Sequence, residues 1–311
     1  MNRYFFFLCG IFYLLMLSCS NKSEKDTIPE IGSKNDKWVL VWSDEFNYEG
    51  LPDSDKWGFE VGHARGRELQ YYTYARKENI FVKDGLLTIR CIKEKYPNKF
   101  YNDAEILSKP HHEWRARNKF ADYTSACITT KYKAAWLYGK IEVKAKLPQG
   151  MGVWPAIWML GTNQDEAPWP VCGEVDIMEF IGREPENVHA NVHWASTDGA
   201  HKQRGKAAEV EVPWKGFHIY GLEWNKDEMI FFYDNQEIHR VDISIPDEVM
   251  LSAYNVDVPL RSNGMEAFKN PHFLLLNFAL GGAWGGDIVD DSMLPLDYQI
   301  DFVRVWQKNN H

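Results

Sequence analysis

The segment Gly173-Glu-Val-Asp-Ile-Met-Glu-Phe180 sets three carboxylates within six residues of an otherwise apolar run. In a β-strand alternate side chains share a face, so Glu174 and Asp176 point the same way. Strict alternation would put Met178 on that face and send Glu179 to the other. A β-bulge, one extra residue in the strand, returns Glu179 to the acidic face. Like charges crowded on one strand face cost a few tenths to about 1 kcal/mol per pair. Such crowding raises at least one pKa, which is what a general acid working near neutral pH requires. A solvated acidic face and a catalytic cluster are both compatible with the pattern taken alone.

The surrounding chain has the same two-residue period. In Gly139-Lys-Ile-Glu-Val-Lys-Ala-Lys-Leu147, Ile141, Val143, Ala145 and Leu147 alternate with Glu142, Lys144 and Lys146, which predicts a strand with one wet face. Gly85–Cys91, Met229–Asp234 and Tyr298–Trp306 read as further strands, and Asp234-Asn235 as a hairpin turn. No long helical period occurs, so the body is expected to be one all-β sandwich over residues 38–311. Residues 183–188 and 246–270 are expected to be loops or short helices. The stretch Glu94–Tyr123, rich in charge and aromatic rings, reads as a long loop. Its adjacent His111 and His112 lack a third residue at metal-ligand spacing.

Composition closes off other classes. The net charge of −9 gives no electrostatic footprint for nucleic acid. Among five cysteines, Cys91, Cys127 and Cys172 lie in the body at irregular spacing with no CxxC pattern. A single Cys91–Cys127 bridge and buried free thiols are both open.

The N-terminus reads as an address. Met1–Arg3 is cationic, Tyr4–Leu17 is almost wholly apolar, and the run closes Leu-Met-Leu-Ser-Cys19. That apolar run is shorter than the roughly 20 residues needed to span a bilayer and suits a secretory signal. It resembles a bacterial lipoprotein signal, with residues 1–18 removed and Cys19 carrying lipid. Met16 stands where that pattern favours Leu. Residues 19–37 then form a polar tether with a random-coil reach of roughly 20–25 Å, and the membrane is met only through the lipid. The expected location is the cell envelope, as an outer-membrane lipoprotein or a secreted form.

Upstream of the acids, Trp154 and Trp158 in Gly150-Met-Gly-Val-Trp-Pro-Ala-Ile-Trp158 are four apart, so both project from one strand face. They are either a stacking platform for sugar rings or a pair of core indoles. With Trp42-Ser-Asp-Glu-Phe46, Glu68-Leu-Gln-Tyr-Tyr-Thr73, Tyr138-Gly-Lys-Ile-Glu142, Gly221-Leu-Glu-Trp224, Asn277–Gly282 and Trp284-Gly-Gly286 in order along the chain, the sequence resembles glycoside hydrolase family 16. Within it, the closest likeness is to the laminarinase-type endo-β-1,3-glucanases. The resemblance covers roughly Trp38 to Gln307.

The resemblance implies a concanavalin-like β-jelly-roll sandwich with a substrate cleft on its concave face. It implies Glu174 as nucleophile, Glu179 as acid/base and Asp176 between them, acting on β-glucan with retention of configuration. Trp154 and Trp158 would line sugar sites, and His193 would lie near the acids. No cofactor is implied for catalysis, but a structural calcium is, through Glu45, a backbone carbonyl near Gly85, and Asp301. Arg67 stands where relatives usually carry Asn, and Ala126-Cys127 where many carry Gly-Arg. These departures bear on the substrate, so mixed-linkage glucan and algal galactan remain rivals. A surface glycan-binding lipoprotein without turnover is a rival of another class, though a binder has no need of three crowded acids.

Overall fold

The computed structural model describes residues 37–196, 198–244 and 264–309. The signal segment, Cys19 and nearly all of the expected tether lie outside the described residues, as does most of 246–270. Residues Gly264–Lys269 form a 3-10 turn.

Two sheets pack face to face. One runs Gln236–Asp242, Glu228–Tyr233, His218–Trp224, Gly139–Lys146, Leu296–Lys308, Leu86–Pro97, Phe120–Ser125 and Gln70–Tyr72, with Trp38–Asp44 and Ile80–Lys83 paired to its flanks. The other runs His201–Gln203, Asn187–Ala195, Glu174–Glu179, Val153–Gly161, His272–Leu280, Cys127–Thr129 and Gly58–Glu60, with Lys206–Glu209 beside Asn187–Ala195. Nearly all pairings are antiparallel; Gln70–Tyr72 joins Phe120–Ser125 in parallel. This is the sandwich that the alternating strands predict, in the jelly-roll form that the family resemblance implies.

Parity explains the layers. Ile141, Val143 and Ala145 are buried from the first sheet, while Lys140 pairs with Glu142 and Lys144 with Asp301 on its outer side. From the second sheet, Val153, Ile157 and Met159 join Leu274, Leu276 and Phe278 in the same core. Their neighbours Ala156, Trp158 and Leu160 gather with Phe273, Leu275, Tyr72 and Cys127 in a second apolar cluster on the opposite face. Each large aliphatic side chain buried this way contributes about 1.5–3 kcal/mol. Asp234 and Asn235 sit at φ 47° and 65°, the left-handed pair that a two-residue hairpin turn requires.

One expectation needs correction. Glu94–Tyr123 is not one long loop. Leu86–Pro97 stays extended beyond Cys91, with alternate side chains half-buried; it pairs with Phe120–Ser125 through a register shift between Lys93 and Tyr96, where Arg76 holds Glu94. Two short helices follow, Ala104–Ser108, capped by Asp103, and Trp114–Arg117. Of the two readings left open for the body cysteines, buried free thiols hold: Cys91, Cys127 and Cys172 are all free and buried. Cys91 faces the core between the sheets and Cys127 faces the second cluster.

The start of the domain hangs on Asp44, which is fully buried. Its carboxylate accepts from the Phe46 amide, the Tyr48 hydroxyl and Trp57 Nε1 at 3.2, 3.0 and 2.8 Å. Replacing it strands three donors in a dry site. Asp44→Ala is expected to lower stability by about 2–4 kcal/mol, read as a lower urea midpoint.

Candidate active site

The acid strand lies between Val153–Gly161 and Asn187–Ala195. Asp176 sits opposite Trp158, Met178 opposite Ile157 and Glu179 opposite Ala156, so Ile177 has no counterpart. The other neighbour has the same surplus: Asp176 faces Asn191 and Glu179 faces His189. Ile177 and Met178, each 1% exposed, both turn into the core. The bulge thereby returns Glu179 to the face of Glu174 and Asp176, as alternation alone would not.

Electrostatics bind these acids into one cluster. Burial and the charge of Asp176 push Glu174 up to about 8. Burial raises Asp176 to about 7. Glu179 is raised as well, by burial first and then by the charges of Asp176 and Glu174, against a hydrogen bond from Trp154 Nε1 at 2.9 Å. Crowded together in a buried site, the acids resist ionising all at once. His193 Nε2 lies 3.2 Å from Asp176 Oδ2 and 3.8 Å from Glu174 Oε1. Burial lowers the proton affinity of His193, so the ring is a neutral neighbour rather than a fixed counter-charge. Its Nδ1 meets His201 Nε2 at 2.9 Å.

The two tryptophans share the cleft face but not a role. Trp154 is half-buried, edge-on to Trp284 at 5.5 Å, with its N–H on Glu179. Trp158 is only 5% exposed and donates to Asn277 Oδ1 at 2.7 Å. The guanidinium of Arg65 lies over its ring, 4.7 Å from the centroid, so Trp158 offers no open platform. Arg65 is paired with Glu60, which also accepts from Cys127 Sγ at 3.1 Å. The small thiol at 127 leaves room for that ion pair. From Asn277 the network continues through the Tyr72 hydroxyl to Glu68, whose pKa burial raises.

The calcium expectation does not fit. Arg304 clamps both oxygens of Glu45 at 2.9 and 2.8 Å, and Lys144 holds Asp301 at 2.8 Å. Both expected carboxylates already face a cation, which leaves no donor set of the kind calcium takes. Gly85 sits at φ 77° in the turn before Leu86, a position suited to glycine for backbone reasons alone.

Arg65, Glu60, Asn277, His201 and Trp169 escaped sequence reasoning as site residues. Only Asn277 lay in a recognisable motif. The others come from loops or edge strands whose neighbours across the sheet are set by topology.

The sequence model for glycosyl hydrolases family 16 matches residues 70–260. The chain belongs to this family. It is 39% identical to a β-glucanase of Rhodothermus marinus over 276 residues, covering 87% of this chain and 85% of that protein. The X-ray structure of the laminarinase from Rhodothermus marinus superposes with a TM-score of 0.70 at 37% identity, covering 88% of this chain and 98% of that one. A structure from work on endo-acting O-glycanases that initiate mucin breakdown superposes with a TM-score of 0.74 at 34% identity, covering 88% and 92%. The protein is thus a glycoside hydrolase, and members of the family need no cofactor for catalysis.

Acids whose pKa is raised by folding bind more protons folded than unfolded. Their cost to stability is absent below the unfolded pKa and grows as pH rises toward the folded one. Glu174→Gln and Asp176→Asn are therefore expected to raise the melting temperature at pH 8 and change it little at pH 4, measured by calorimetry at both values.

Proposed function

We propose that the protein is a retaining endo-β-1,3-glucanase working on laminarin-like β-glucans. The bulge that sets Glu174, Asp176 and Glu179 on one face carries this reading. Glu179 protonates the glycosidic oxygen while Glu174 attacks the anomeric carbon, forming a covalent glycosyl ester. Glu179, now a base, takes a proton from water, which opens the ester with net retention. The Arg65 guanidinium acts to lower the Glu174 pKa, toward the ionised form a nucleophile needs. Asp176 tunes the charge between the two. Trp154 orients Glu179 through its N–H. A retaining pair needs its carboxyls about 5–5.5 Å apart, which requires both on one face, and the bulge puts them there.

Proton NMR of laminarin digests is expected to show β-anomeric oligosaccharides first, and Glu174→Gln to lose turnover by about 10³-fold or more while still binding glucan. α-Anomers first, or turnover surviving in Glu174→Gln, would reject the mechanism.

A second reading, endo-cleavage of O-glycans, is favoured by the 0.74 TM-score to the structure from work on endo-acting O-glycanases. Release of oligosaccharides from mucin O-glycans but not from laminarin would select it.

We also propose that Cys19 is lipidated and that residues 19–37 tether the enzyme to the outer membrane at the cell envelope. The cationic start, short apolar run and Leu-Met-Leu-Ser-Cys19 support this. Among the described residues no helix is long and apolar enough to cross a membrane. Cys19→Ala is expected to move the protein from the membrane fraction to the soluble fraction and to abolish palmitate labelling; unchanged fractionation would reject the anchor.

A further inference from the structure

Three electron-pair donors converge beside the expected nucleophile. Glu174, Asp176 and His193 each offer one ligand atom, and these atoms all lie within 4.8 Å of one another. His193 Nε2 is 3.2 Å from Asp176 Oδ2 and 3.8 Å from Glu174 Oε1. Strand pairing fixes the group, with Glu174 opposite His193 and Asp176 opposite Asn191. Glu45 and Asp301 each face a Lys or Arg; among the described residues neither Glu174 nor Asp176 forms an ion pair with one.

The hydrogen bonds around His193 set its tautomer. Asn191 Oδ1 accepts from the Val192 amide at 2.9 Å, which turns Asn191 Nδ2 toward His193 Nε2, 3.0 Å away. A donor at that distance makes Nε2 the nitrogen with the lone pair. The ring proton then sits on Nδ1 and is donated to His201 Nε2 at 2.9 Å. His201 is held in turn by the ring of Trp169, with centroids 4.8 Å apart. A second imidazole that takes the far ring proton is the outer-shell partner that orients a metal-ligating histidine. Asp176 Oδ2 supplies an independent sign. Its residue is 2% exposed, and the oxygen has no hydrogen-bond partner among the described residues despite the nearby Nε2. A buried carboxylate oxygen without a donor is costly, and a nitrogen lone pair gives it none. An electron-pair acceptor placed among the three atoms satisfies all of them.

We propose that Glu174, Asp176 and His193 form an inhibitory site for a divalent transition-metal ion of the zinc type. Zn–N and Zn–O bonds of about 2.0–2.2 Å put neighbouring ligands of a tetrahedral ion about 3.4 Å apart, between the two separations found here. One imidazole with two carboxylates suits zinc, whereas calcium and magnesium take oxygen ligands. The ion offsets the repulsion between the two acids and displaces only the Asn191 N–H from Nε2. Its fourth position is left to water from the cleft. With its carboxylate on the metal, Glu174 cannot attack the anomeric carbon, so bound ion and turnover exclude each other. The inhibition rests on the glucanase reading; the binding does not.

The test titrates Zn2+ into the chelator-stripped protein by calorimetry and follows laminarin hydrolysis in parallel. The wild-type protein is expected to bind Zn2+ at this site with one-to-one stoichiometry. Hydrolysis should fall as the site fills and return on adding EDTA, and Ca2+ or Mg2+ at the same concentration should do neither. His193→Ala should lose this binding, with melting temperature as the check on folding and His193→Gln as the second variant. His201→Ala, which removes no ligand atom, should weaken Zn2+ by about 10–100-fold. His112→Ala should leave the isotherm unchanged. No stoichiometric binding, or an isotherm unaltered in the folded His193 variants, would overturn the site. Zinc held through His193 with hydrolysis undiminished would overturn the inhibition. Zinc held through His193 by a protein that cuts no laminarin would leave the site standing and sink the cleavage reading.

Discussion

One surplus residue in the acid strand organises the site. Without the bulge at Ile177–Met178, the sixth position of the acid segment would turn into the core and the chemistry would lose its proton donor. With it, two consecutive apolar side chains enter the core and three carboxylates share the opposite face. The arrangement works because the strand is central. Neighbours on both sides hold its register, so the irregularity is absorbed locally instead of slipping the whole pairing.

That face is poor ground for stability. Three acids with raised pKa values stand on a sheet whose reverse side is among the best packed in the molecule, and the second apolar cluster around Leu160, Phe273 and Leu275 walls the same face. Low local polarity is what raises the pKa values, so the feature that supports acid chemistry also opposes ionisation of the nucleophile. The nearby guanidinium of Arg65 works against the second effect. It is held by Glu60 over Trp158, in space that the small side chain of Cys127 leaves open. One departure from the family pattern, Ala126-Cys127, thus lies against this ion pair.

Much of the fold was legible because a half-buried strand writes its two faces into alternate residues. Gly139–Lys146 shows this plainly, as does the left-handed Asp234-Asn235 turn. Glu94–Pro97 was misread because charged residues in a strand are half-buried too, and nothing in their chemistry separates such a strand from a loop. The calcium expectation failed for a related reason. Glu45 and Asp301 are suitable oxygen donors, but Arg304 and Lys144 come from neighbouring positions across the first sheet, and only strand pairing brings them onto those carboxylates.

The sequence by itself determined the all-β class, the acid segment with its need for a bulge, and the shared face of Trp154 and Trp158, because each is a local consequence of two-residue periodicity. Only the tertiary structure decided which indole stays exposed. Trp158 is closed by Arg65 and Asn277, whereas Trp169 is left exposed at the end of the His193–His201 line. Exposure depends on what lies across the sheet, and residues more than a hundred positions apart, such as Trp158 and Asn277, become neighbours only when the strands pair.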